Sequence, residues 1–60
     1  MNRERAIEQL PETHAAALRL RARGFDDEAI ADALAIPPQG IPELLRVADH
    51  KLAALMKGRT

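Results

Sequence analysis

Asp26-Asp27-Glu28-Ala29-Ile30-Ala31-Asp32-Ala33-Leu34-Ala35-Ile36-Pro37-Pro38-Gln39-Gly40-Ile41-Pro42-Glu43-Leu44-Leu45 carries a helix start, a cluster of chain breakers and a second helix start in close succession. Asp26 suits a helix N-cap, because a short carboxylate accepts from the free N–H groups of the first turn. Asp27 and Glu28 then sit where the macrodipole favours negative charge. Phe25 and Ile30 occupy the two positions of a hydrophobic staple. Ile30, Ala33 and Leu34 recur at helical spacing and are expected to face inward, with Ala31 beside them. The helix is expected to end near Ala35, because Ile36 to Gly40 concentrates chain breakers. A second helix begins at Gly40 or Ile41 and tolerates Pro42 only within its first turn.

Working outward, Ile41, Leu44, Leu45, Ala48, Leu52, Leu55 and Met56 continue at three- and four-residue steps, predicting a long amphipathic helix that stops near Gly58. Toward the N-terminus, a helix is expected over 2–9, with Ala6, Ile7 and Leu10 as a short apolar edge. It closes at Leu10-Pro11, since the residue before proline is pushed out of helical geometry. A further helix is expected over 11–23, with Pro11 at its first position, a stripe of Ala15, Leu18 and Ala22, and Gly24 as its stop. Arg19, Arg21 and Arg23 toward its end suit the macrodipole. The fold class is therefore all-α: a small three- to four-helix domain over 1–60 with a helix-turn-helix at about 26–57.

Composition narrows the functional classes. Ala and Leu dominate, and both favour helix over strand. Sixty residues without Cys offer neither a disulfide framework nor a thiolate metal site. Neither a membrane-length apolar run nor a secretory leader is legible, so a cytoplasmic location is expected. Seven Arg to two Lys among so many Ala suggests GC-rich coding and a bacterial or phage source. The chain reads equally as a whole protein or as one domain of a longer one.

The ordered series from Leu10 to Leu55 resembles a known family, the promoter-recognition domain (region 4) of bacterial sigma factors, and more distantly the LuxR-type domains. The resemblance is carried by Leu10-Pro11, Leu18 and Leu20, Gly24, Glu28-Ala29-Ile30-Ala31, Leu34-Ala35-Ile36, Ile41 and Leu45-Arg46-Val47-Ala48. It implies a transcription-associated module that binds duplex DNA, with RNA polymerase as a further partner. The chain departs from the family pattern at the start of the last helix. Where the family reads Ser-x-x-Thr-Val-Lys-Ser-Arg or similar, this chain has Pro37-Pro38-Gln39-Gly40-Ile41-Pro42-Glu43-Leu44. Ala35 stands where the family has a turn glycine.

Candidate sites follow from these readings. For duplex DNA, Gln39 and Arg46 are the candidate base or phosphate contacts, and Arg19, Arg21, Arg23 and Lys51 the candidate phosphate contacts. Each cation reads equally as solvated helix surface or as a dipole partner. The formal net charge is zero, and no Lys or Arg lies between Gly24 and Glu43, whereas duplex binders present a basic face. The competing function is therefore a degenerate helix-turn-helix that binds protein: a sigma-domain mimic, a partner of RNA polymerase or an anti-sigma protein, or a homodimer. Leu52, Leu55 and Met56 are its candidate contacts, unless the second half of the last helix packs on the N-terminal helix. No enzymatic role, metal or cofactor is expected. His14 and His50 lie far apart and read as solvated or capping residues, without the convergent ligands a metal needs.

Overall fold

The computed structural model describes residues 2–57 and contains four α-helices, with no strand among the described residues. These are α1 (Arg3–Glu8), α2 (Glu12–Ala22), α3 (Asp27–Leu34) and α4 (Ile41–Lys57), the last preceded by a 3₁₀ turn at Pro38–Gly40. No described helix is long and apolar enough to cross a membrane.

Local chemistry accounts for most boundaries. Asn2 caps α1, its Oδ1 accepting from the Arg5 N–H at 2.8 Å. Asp26 caps α3 in the same way, accepting from Ala29 at 2.9 Å. Pro11 precedes α2 rather than opening it, with φ −53° and ψ 147°, so the expected range 11–23 contracts to Glu12–Ala22. Likewise α1 contracts from 2–9 to Arg3–Glu8. The expected stop at Gly58 lies outside the described residues.

Two helices end in the same hydrogen-bonded device. After α2, Phe25 N–H donates to Leu20 O at 3.1 Å and Gly24 N–H to Arg21 O at 2.9 Å, with Gly24 at φ 96°. After α3, Ile36 N–H donates to Ala31 O at 3.0 Å and Ala35 N–H to Asp32 O at 3.4 Å. Both are Schellman arrangements, which need a left-handed residue at the turn. Glycine adopts that geometry without strain. Ala35 is forced into it at φ 57° and ψ 44°, at a cost of about 1–2 kcal/mol.

Packing follows the apolar stripes. The core is Ala6, Ile7, Leu10, Ala15, Ala17, Leu18, Ile30, Ala31, Ile41, Leu45, Ala48 and Leu52, and Leu20, Leu34, Ile36, Leu44 and Leu55 pack partly against it. α2 lies against α4 and α3, and α1 packs on α4 as well, with Gln9 and Leu10 beside Lys51, Ala54 and Leu55 in its second half. Ile30 and Ile41 are both fully buried and Ala31 is nearly so, which seats α3, its turn and α4 on one core. Three expectations are corrected here. Ala33 and Ala22 are exposed. Phe25, one half of the expected staple, remains 40% exposed.

Candidate functional site

The inner line of α4 is Ile41, Leu45, Ala48 and Leu52, all buried. These positions, spaced by four, three and four residues, lie on one side of a 3.6-residue helix. The opposite side therefore faces water over its first two turns. It presents Glu43, Arg46 and His50, with Gln39 contributed by the preceding turn, and all four are exposed. Pro38 and Pro42 are exposed beside them.

This edge is close to electrically neutral. Arg46 Nε donates to Glu43 Oε1 at 3.1 Å, and Nη2 donates to Oε2. The guanidinium holds the Glu43 carboxyl below its ordinary pKa, and Arg46 is raised in turn. Gly40 is half-buried, and a Cβ there would meet Ile36 Cγ2 at an ordinary 3.6 Å. Space therefore permits a side chain at this position, although the sequence places none.

The remaining candidate cations do not gather on this edge. Arg21 grips Asp49 of α4 with two hydrogen bonds, of 3.0 and 2.7 Å. The hydrogen bond from Arg21 holds the Asp49 carboxyl below its ordinary value, against a smaller opposing effect of burial. Arg19 donates from Nε and Nη2 to Glu4 Oε2 of α1, at 3.3 and 3.1 Å. Arg23 lines an open cleft between α1, α2 and the end of α3, together with Arg19 and Leu34. Lys51 lies in another place, beside Gln9, Leu10 and Pro11. The six expected nucleic-acid contacts are thus dispersed over several surfaces.

Of the two readings of the second half of α4, packing on the N-terminal helix replaces the open apolar edge. Leu52 is 8% exposed and belongs to the core, because α1 docks on the second half of α4. Leu55 is half-buried, and Met56 alone of the three stands well exposed, at 41%. His50 is exposed as expected. His14 is half-buried, and its Nδ1 is buried without a hydrogen-bond partner, so it is not the solvated residue expected. Among the described residues no group of three or more His, Cys, Asp or Glu stands ready to hold a metal.

Sequence reasoning missed the Arg21–Asp49 and Arg19–Glu4 pairs, whose members are 28 and 15 residues apart. Only the Glu43–Arg46 spacing was open to inspection as a helical neighbour pair. Set against family models, curated proteins and solved structures, the chain matches none of them.

Proposed function

We propose that this chain is a helix-turn-helix module of the sigma region 4 type, acting in transcription through protein contact rather than by reading duplex DNA. The helix-turn-helix assignment is supported by α3, a turn from Ala35 to Gly40, and α4, all held on the Ile30–Ala31–Ile41 core. The observation that carries the choice of partner is the edge formed by Gln39, Glu43 and Arg46. Most affinity for duplex DNA comes from Lys and Arg neutralising phosphates. This edge offers one Arg, already closed on a carboxylate, flanked by two prolines. A polar, charge-balanced edge meets a protein surface at lower electrostatic cost than it meets a polyanion. The resemblance to sigma region 4 makes RNA polymerase the first partner to test.

The test is a binding measurement on the labelled chain against purified bacterial RNA polymerase core enzyme and, in parallel, against a duplex, both at physiological salt. Saturable binding to the polymerase with no measurable binding to the duplex is expected. The proposal fails if the duplex binds and the polymerase does not.

One observation favours DNA contact as a second reading. The Glu43–Arg46 pair is exposed on both sides, and such helix-surface pairs are worth only a few tenths of a kcal/mol. Arg46 is therefore cheaply released to a phosphate or a guanine edge, with Gln39 on the same side of the helix.

A further inference from the structure

The outer face of α2 is left unused by the function proposed above. α2 meets the core through Ala17 and Leu18, both fully buried, while Glu12, Ala16, Arg19 and Arg23 follow one another along the opposite side at helical spacing. This line forms one wall of the open cleft whose other walls come from α1 and from Ala33 and Leu34 of α3. The cleft is lined by Arg3, Glu4, Glu8 and Glu12 together with Arg19 and Arg23; Arg19 is closed on Glu4, and along α2 itself Glu12 stands at the start and Arg23 just past the end. Glu8, Glu12 and Arg23 make no ion pair or side-chain hydrogen bond within the described chain.

We propose that this face is a self-docking surface, on which a second copy of the chain lays its own α2 antiparallel across a two-fold axis. The charge order commits the surface to that occupant. A two-fold axis through the middle of the line brings Glu12 of one copy against Arg23 of the other, and the same pair forms again at the opposite end. The surface is therefore complementary to itself, as a closed isologous contact requires. Glu12 and Arg23 are separated by about 16 Å of helix rise, so opposite charges stay apart within one chain and meet only between copies. Between them Ala16 carries a short side chain that lets two helix backbones approach, and Leu20 supplies half-buried apolar area. This surface replaces Leu52 as the candidate dimer contact, and it stands independently of whether α4 meets protein or DNA.

Analytical ultracentrifugation of the full chain at low salt, with a concentration series and a high-salt arm, tests the proposal. The wild type is expected to approach twice its 6.6 kDa mass as concentration rises, and to return to monomer in high salt. Glu12→Arg alone and Arg23→Glu alone should each remain monomeric, since each sets like charges against one another in a self-pair. Mixed in equal amounts, the two variants should recover the dimer, because each then supplies the charge the other needs. Helicity measured by circular dichroism verifies that both variants fold. If either does not, concentration-dependent amide shifts of the wild type decide: movement at Ala16, Arg19 and Arg23 supports the face, and movement confined to Leu55 and Met56 overturns it. A mixture no heavier than its components, or a wild type that stays monomeric throughout, also overturns it.

Discussion

Replacing Ala35 with glycine should stabilise the domain, contrary to the usual effect of glycine beside a helix. In the structure Ala35 sits at φ 57° and ψ 44°, where its Cβ crowds its own backbone. That strain is about 1–2 kcal/mol for a non-glycine residue. Glycine removes it but returns about 0.4–1 kcal/mol of chain entropy to the unfolded state. The net gain for Ala35→Gly is about 0.5–1 kcal/mol. In a domain of this size, where 1 kcal/mol moves Tm by about 4–8 °C, the midpoint should rise by about 3–6 °C. Thermal unfolding followed by far-UV circular dichroism measures it. Were Ala35 in ordinary helical or extended geometry, glycine would instead cost about 0.5–1 kcal/mol and the midpoint would fall. A lowered Tm refutes the left-handed turn after α3 and with it the angle at which α4 leaves α3. The reverse substitution at the other such turn is the natural control. Gly24→Ala meets no neighbouring atom within 4 Å, so backbone strain of about 1–2 kcal/mol, offset by about 0.4–1 kcal/mol of unfolded-chain entropy, leaves an expected net loss of about 0.5–1 kcal/mol.

Further perturbations test other parts of the structure. Leu52→Ala should cost about 2 kcal/mol or more as a core truncation, whereas Met56→Ala, at an exposed position, should stay within about 0.5 kcal/mol; urea melts of both variants decide whether the end of α4 is covered by α1. Asp26→Ala removes the α3 cap and should cost about 1 kcal/mol, read from the same melts; no change would place the start of α3 elsewhere. Asp49 has a folded-state pKa below its ordinary value, so the Arg21–Asp49 contribution is present above the unfolded pKa of about 3.9 and is lost as pH falls below it. Both side chains are more than one third exposed, so solvent screening keeps the pair at about 1 kcal/mol or less. Asp49→Asn should lose that amount at neutral pH and little at pH values below the folded pKa; an equal loss at both would remove the ion pair as the cause.

The parts of the fold set by neighbours in sequence were legible. Asp26 announces the start of α3 because a cap and its acceptor geometry lie within four residues, and Gly24 announces the end of α2 for the same reason. The buried line of α4 was visible as periodicity. Pro11 was misplaced by one position because proline suits both the residue before a helix and its first turn. Ala33 looked inward by spacing, but an eight-residue helix has a narrow buried face, and α2 and α4 claim the side bearing Ile30 and Ala31. The burial of Leu52 was one of two readings the sequence left open, since periodicity offers the second half of α4 to α1 and to a partner alike, and only the docking of a six-residue α1 decides between them. The site was less legible still. Arg19 and Arg21 carry the same charge on the same helix, yet one turns to Glu4 and the other to Asp49, and only the packing of α2 between α1 and α4 separates them. What the sequence did show was the loss of cations from the start of α4, and the Glu43–Arg46 pair deepens it.

What the edge of Gln39, Glu43 and Arg46 meets can be read residue by residue, in a chemical-shift titration of the labelled chain with duplex DNA at two salt concentrations. At physiological salt the amides from Gln39 to Arg46 should hold their positions, with small, unsaturated shifts at low salt scattered over separate cations such as Arg23 and Lys51. Saturating shifts gathered on Gln39 to Arg46, falling with salt in the steep log–log manner of several phosphate contacts, would contradict the account and return the module to reading DNA.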